Sequence, residues 1–231
     1  VNTRPLRLAA LCSGGKDSLF ACWQAMQKEE VCCLVTVVSR NPESYMFHTP
    51  NIRQVRYQAE ASGLPLVEVE SAGVEETEVA DLRRAVERAR NEYGIEGVVT
   101  GAVQSVYQAT RIQRICADLG LWCFNPLWQI DPWRYLHRLL SEGFLVCITG
   151  VAADPLDETW LGRTIEGSTL HDLERIAKRH RISPIGEGGE YETYVLDAPF
   201  FSSRISITAS AVEYRHGHGT FHILDADLVA K

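Results

Sequence analysis

The sequence predicts an α/β protein, with a parallel-sheet domain over residues 1–125 and a second, smaller mixed α/β domain over residues 126–231. Three observations lead there. Through the first half, short apolar or β-branched runs alternate with helix-length segments, the order that gives parallel strands joined by right-handed helical crossovers. The pattern changes at Asn125-Pro126, after which two helices, a strand and several alternating segments follow in a less regular order. The chain has 231 residues, 45% of them hydrophobic, enough for one large core or two modest ones.

Taken in order, Leu6–Leu11 is an apolar run of strand length, and Leu19–Met26 begins a helical pattern that continues to about Lys28. Cys32–Val38 is a β-branched strand candidate, followed by a polar loop around Asn41–Pro50. Asn51–Ser62 reads as helix, Leu66–Val69 as strand, Glu75–Tyr93 as a helix with charges on one face, and Gly97–Thr100 as a buried strand. Helix Tyr107–Leu119 and the short extended piece Trp122–Phe124 complete the first domain. The second gives helix Pro132–Glu142, strand Leu145–Val151, a loop through Asp154–Arg163 and helix Thr169–His180. Gly186–Tyr194 and the alternating segments Arg204–Val212 and Thr220–Leu224 follow. In such sheets ligands lie beyond the carboxyl ends of the strands, so Ser13–Ser18, Val38–Ser39 and Thr100–Ser105 should converge on one crevice.

Ser13-Gly14-Gly15-Lys16-Asp17-Ser18 stands at the first strand-to-helix junction. Two glycines let the backbone turn tightly and bring its N–H groups against an anion, while the helix start adds unpaired donors and a partial positive charge. Ser13, Lys16 and Ser18 add side-chain donors. The segment is not a Walker A loop, because Lys16 is followed by Asp17 and the required upstream glycine is absent. It resembles the SGGKDS loop of the PP-loop, or N-type ATP pyrophosphatase, superfamily, which implies ATP binding and cleavage between the α- and β-phosphates. Asp17 suits either a magnesium ligand or a cap for the helix that begins there.

The net charge of -7 argues against a broad nucleic-acid footprint and favours a protein or small-molecule substrate. No window approaches the ~18–20 uninterrupted apolar residues of a membrane span, and the polar N-terminus lacks a signal-peptide core, so a cytoplasmic protein without membrane contact is expected. Seven irregularly placed cysteines include no CxxC pair, which fits free thiols in a reducing compartment. The absence of such a pair also disfavours a transfer-RNA sulfuration enzyme, several of which use paired cysteines. The sequence does not fix the oligomeric state; a homo-oligomer is compatible with it.

Glu187-Gly188-Gly189-Glu190-Tyr191-Glu192-Thr193 places three carboxylates around a Gly-Gly turn just before an apolar segment. Such a cluster can coordinate magnesium, orient an amine nucleophile or accept its proton; the plainer reading is an exposed polar hairpin. On strand alternation, Glu190 and Glu192 would share one face and Tyr191 and Thr193 the other.

The stretch Gly186–Phe201, GEGGEYETYVLDAPFF, is similar to the hallmark segment of the diphthine-ammonia ligase family. Further agreement comes from Met46-Phe47-His48-Thr49, Gly101-Ala102, Ser105-Val106-Tyr107-Gln108 with Arg111, Cys116, Leu119-Gly120-Leu121, Pro126-Leu127-Trp128 and Leu161-Gly162-Arg163. These matches run from about residue 7 to 201, and the tail Ser202–Lys231 shows no recognised signature. The resemblance implies ATP-dependent amidation of diphthine, a modified histidine of the translocation elongation factor, with ammonium as the nitrogen source and diphthamide, AMP and pyrophosphate as products. It implies ATP and Mg2+ as cofactors and the diphthine-bearing elongation factor as partner, with no direct nucleic-acid contact.

Under this resemblance Lys16, Asp17, Glu187 and Glu190 are the catalytic candidates, with Asp17 also the metal ligand. Ser13, Gly14, Gly15, Lys16, Asp17, Ser18, Ser39, His48 and Gly101 would hold the nucleotide. Tyr107, Gln108, Arg111, Trp128 and Glu192 would meet the substrate. Tyr107 and Arg111 share a helical face, placing Arg111 to counter phosphate or carboxylate charge. Trp128 would either close over the site, where its ring could attract a trimethylammonium group, or simply pack the hinge. His48 is a site residue in the loop after the second strand, or an ordinary capping or core histidine. The histidines 216, 218 and 222 read as a surface loop. Two other functions compete: a different adenylating PP-loop enzyme, such as one that modifies transfer RNA, and a non-catalytic ATP/AMP-binding module.

Overall fold

The computed structural model describes residues 4–41, 50–73 and 75–231; His48 and its neighbours Met46, Phe47 and Thr49 lie outside them. The first half contains β1 (Arg7–Leu11), α1 (Lys16–Met26), β2 (Glu30–Ser39), α2 (Val55–Ser62), β3 (Leu66–Ser71), α3 (Glu75–Tyr93), β4 (Gly97–Val99), α4 (Val106–Leu119) and β5 (Trp122–Phe124). Its five strands are all parallel, in the order β3-β2-β1-β4-β5. The second half supplies α5 (Pro132–Ser141), β6 (Leu145–Val151), α6 (Gly167–His180), β7 (Tyr191–Asp197), β8 (Ser203–Arg215) and β9 (His218–Ala230). Its strands form a separate antiparallel sheet, β7-β6-β9-β8.

Local chemistry accounts for many boundaries. Ser105 caps α4 by accepting from the Gln108 N–H at 3.3 Å, and the helix stops at Gly120 with φ 67°. Asp131 caps α5 through the Arg134 N–H at 2.8 Å, with Pro132 in the first helical turn, where its missing N–H removes no helical bond. Along β1, alternation sends Leu8 and Ala10 to one side of the sheet and Ala9 to the other. Leu8 and Ala10 join a core with Phe20, Tyr135, Phe144, Val146, Tyr194 and Phe201, which continues from the parallel sheet into the antiparallel one. Ala9 packs with Val35, Leu82, Val86 and Ile115 against α3 and α4.

The second half departs from expectation in two places. The alternation expected from Glu190 does not start there: Gly186 and Gly189 have φ of 74° and 82°, and β7 begins only at Tyr191. The final two strands reach 13 residues each, because they pair with one another along their length around His216-Gly217, both with positive φ. His216 therefore occupies the hairpin turn, while His218 and His222 lie on β9. Among the described residues no helix is long and apolar enough to cross a membrane. The seven cysteines are free thiols, and burial pushes those of Cys12 and Cys147 up to about 12, which keeps them unreactive.

Candidate functional site

A cavity of about 330 Å³ opens where the strand order reverses, between β1 and β4. This is the position at which an open parallel sheet leaves a crevice beyond its strand ends. Ser13, Gly15, Lys16, Asp17, Ser18 and Gly101 line it from one side. Val35, Thr36, Val37, Leu82 and Ile112 form less polar walls, and Glu187, Tyr191, Glu192 and Thr193 approach from the second half. The glycine loop and the acidic segment, 170 residues apart in sequence, therefore face one space.

The loop is shaped by its own side chains. Ser18 Oγ donates to the Gly15 carbonyl at 3.0 Å and accepts from the Ser13 N–H at 3.3 Å, folding the turn over the first turn of α1. Gly14 adopts φ 83°, open to glycine without strain. Gly15 is the N-cap and offers no side-chain cap, so the leading N–H groups of α1 need partners from elsewhere. Lys16 N–H finds one in Thr193 Oγ1, at 3.1 Å. Gly101 has a separate reason to be glycine. A Cβ there would lie 2.6 Å from the Asp17 carbonyl carbon and from the Ser18 nitrogen, so only a bare backbone lets the loop after β4 approach α1.

Lys16 is almost fully buried, and its Nζ donates to the Ile185 carbonyl at 2.6 Å and to Asp17 Oδ2 at 3.0 Å. Burial works to lower its pKa, but Asp17, Tyr191 and Glu192 more than offset this, and the ammonium stays charged with a raised pKa. Asp17 Oδ1 is buried, as is the phenol oxygen of Tyr135, a fully buried side chain on α5, and the two groups lie close enough to interact with each other. Burial and the nearby Asp17 carboxylate hold the Tyr135 phenol well above its usual range, so it remains a proton donor beside Asp17.

The three glutamates separate into distinct roles. Glu187 Oε1 accepts from the Gln104 N–H at 2.9 Å, linking the acidic turn to the loop that precedes α4. Burial, with Asp17 nearby, raises its pKa. Glu190 does not reach the cavity lining: its two oxygens accept from the backbone N–H groups of Ser183 and Gly188 at 2.7 and 2.8 Å. It fixes the turn instead of facing substrate. The Glu192 side chain is exposed to the open cavity, with protein packed around the rest of it. That enclosure pushes its pKa up to about 7, against the lowering influence of Lys16.

Several expected residues stand elsewhere. Of the α4 group only Gln108 lines the cavity; the Arg111 guanidinium stacks over the Tyr107 ring, 3.2 Å from its centroid, and donates to the Tyr107 carbonyl at 3.3 Å. Ser39 Oγ exchanges hydrogen bonds with the Asn41 backbone, at 3.0 and 3.1 Å, and is absent from the lining. Trp128 is exposed and also outside the lining. His48 lies outside the described residues. Among the described residues no group of three His, Cys, Asp or Glu side chains is arranged to hold a metal on its own.

The cavity also contains Thr36, Tyr191 and Thr193, which the sequence reading did not select. Tyr191 and Thr193 belong to the segment already singled out, but the expected alternation turned them away from the glutamates. Thr36 sits in a β-branched run indistinguishable from core, yet its hydroxyl is buried, unpartnered and at the cavity wall.

Comparison with known proteins follows the same division of the chain. Residues 6–123 match the diphthamide synthase N-terminal domain, and residues 131–229 match the diphthamide synthase C-terminal domain, so the family match includes the tail that showed no recognised signature. A diphthine–ammonia ligase of Danio rerio is 31% identical over 226 residues, covering 89% of this chain and 88% of that protein. The Homo sapiens diphthine–ammonia ligase is 32% identical over 227 residues, covering 90% of this chain and 85% of that protein. That of Schizosaccharomyces pombe is 32% identical over 233 residues, covering 92% of this chain but 38% of the longer yeast protein. With matches over both halves, the chain belongs to the diphthamide synthase family.

Proposed function

We propose that this protein is an ATP-dependent ligase that amidates diphthine on the translocation elongation factor, using ammonia and releasing AMP and pyrophosphate. The carrying observation is the one cavity that the start of α1 and the carboxylate of Glu192 both line, brought together from the two halves of the chain. The names borne by the Danio rerio and Homo sapiens relatives support the same reaction.

The chemistry divides between the two groups of residues. A carboxylate is a poor acyl donor, so its oxygen first attacks the α-phosphorus of ATP; the bond to pyrophosphate breaks and an acyl-adenylate forms. The Ser13–Ser18 loop holds the departing anion through the N–H groups of the first turn of α1 beyond that of Lys16, which Thr193 occupies, with the buried Lys16 ammonium supplying positive charge behind them. Ammonia then attacks the acyl carbon, the carbon–oxygen bond to AMP breaks, and the nitrogen must lose a proton. Glu192 takes it: a pKa near the working pH suits a general base. Glu187 holds the loop before α4 against the acidic turn, and Glu190 keeps that turn in shape.

Asp17 would hold a magnesium ion: it lines the cavity, and its buried Oδ1 accepts no hydrogen bond from the loop. Mg2+ characteristically takes one or two carboxylates and completes its shell with phosphate oxygens and water, so one carboxylate here would suffice as the protein ligand. The ion would neutralise phosphate charge. On this reading residues 1–125 handle the nucleotide and residues 126–231 the acceptor, which enters past the acidic turn.

The test is direct. The protein is incubated with ATP, magnesium, ammonium and diphthine-bearing elongation factor, while AMP release and the mass of the modified histidine are followed. Amidation coupled one-to-one to AMP is expected. AMP formation without amidation points to another acceptor, and ATP binding without AMP release to a non-catalytic module.

A further inference from the structure

The phosphate loop is fastened to the second sheet by hydrogen bonds joining Gly14 and Lys16 to β7. The Gly14 carbonyl accepts from the Val195 N–H of β7 at 3.0 Å and from Gln58 Nε2 at 2.9 Å. The same Nε2 donates to the Val195 carbonyl, also at 2.9 Å. Gln58 is completely buried on α2, and its Oε1 receives the Cys12 thiol at 3.9 Å. Two facing carbonyls can be satisfied only by the NH2 end of the amide, so the network fixes the orientation of this side chain. Two residues before Val195, Thr193 Oγ1 accepts from the Lys16 N–H, a cap that Gly15 cannot provide. Glu192, which lines the cavity together with Thr193, adjoins it on β7.

We propose that Gln58 is a positioning residue of the nucleotide site: with Thr193 it locks the phosphate loop to β7, so that one hydrogen-bonded unit sets both phosphate binding and the placement of Glu192. This rests on reading Ser13–Ser18 as the phosphate site. Releasing the lock displaces loop donors that meet the outer phosphates, but leaves untouched the walls made by Val37, Leu82 and Ile112, which come from β2, α3 and α4. A residue that only supports overall stability would not make that distinction between parts of one ligand.

The experiment measures calorimetric affinities of the full chain for ATP and for AMP, with thermal midpoints, in the wild type and in Gln58→Met, Thr193→Val and Thr193→Ser. Gln58→Met keeps the volume but loses both donors, and Thr193→Val keeps the shape but loses the acceptor. Each should weaken ATP binding about tenfold and leave AMP affinity within about twofold, while Thr193→Ser binds as the wild type does. Parallel losses for ATP and AMP, or no loss for either, overturn the proposal. Should Gln58→Met fail to fold, the Thr193 pair decides alone. Failure of the wild type to bind ATP would instead refute the phosphate site on which the lock depends.

Discussion

The glycine loop at residues 13–18 and the acidic turn at residues 186–193 use the same materials in opposite ways. Both are Gly-Gly turns that lead into a regular element and both reach the same cavity. In the loop, side chains hold the structure: Ser18 binds the Gly15 carbonyl and Lys16 reaches the Ile185 carbonyl, leaving backbone N–H groups of the helix start to face an anion. In the turn, backbone N–H groups are occupied by Glu190, and it is the glutamates Glu187 and Glu192 that line the cavity. The difference assigns charge. On the proposed function, one wall would stabilise the negative charge that leaves, and the other would offer a carboxylate to a group that must give up a proton.

Breaking the carboxylate wall should have the largest effect. Glu192→Gln is expected to lower kcat by ~10²–10⁴-fold, the usual contribution of a positioned general base. The wild-type rate should rise as pH passes about 7, where Glu192 loses its proton, and the variant should lack that inflection. Stability moves the other way. The folded carboxyl keeps its proton up to about 7 whereas the unfolded one releases it near 4.5, so the stabilisation is complete below pH 4.5 and lost as pH rises through 7. Glu192→Gln should therefore melt above the wild type at pH 8. Wild-type turnover would remove Glu192 from the base role, and a lower midpoint at pH 8 would refute its enclosure as the cause of the shift.

On the anion side, Lys16→Ala should reduce AMP release by ~10²–10³-fold, as for loss of one preorganised donor to developing charge. Near-normal release on the elongation-factor substrate would take Lys16 out of the reaction. The comparison sharpens with Glu190→Gln. This variant presents an amide NH2 to a backbone donor, and urea denaturation should show ~1–3 kcal/mol of lost stability, with turnover falling far less than in Glu192→Gln. Equal losses of turnover in the two variants would erase the distinction between the glutamates. Arg111→Leu should be mildest, losing ~0.5–1 kcal/mol of stability from the Tyr107 stack while titration shows unchanged ATP affinity. A weakened ATP affinity would bring Arg111 back to the nucleotide.

The legible parts of the site are those whose chemistry is local. The Ser13–Ser18 turn, the Ser105 and Asp131 caps and the stop at Gly120 each depend on a few consecutive residues, and a reader of the chain can see them. The choice among the three glutamates was not legible. Alternation counted from Glu190 assumes a strand that starts there, but β7 begins at Tyr191, where pairing with Val151 of β6 sets its register. Gly150, opposite Glu192, matters too: a Cβ on it would come 3.0 Å from that of Glu192. Tyr107 and Arg111 share a helical face, as their spacing implies, yet the face alone does not say that the two side chains stack on each other.

By itself the sequence determined the α/β order of elements, the phosphate-type turn and the acidic segment, because each is written in spacing and residue type over short stretches. Tertiary structure decided what those motifs do to one another. Gln58 carries no local signal, and its importance arises only when α2, the loop and β7 meet and two buried carbonyls need one amide. The same holds for Glu192, whose proton affinity is set by enclosure and by charges from a distant part of the chain. Such properties depend on dielectric surroundings and on hydrogen bonds between far-separated residues, and these exist only once the chain has folded.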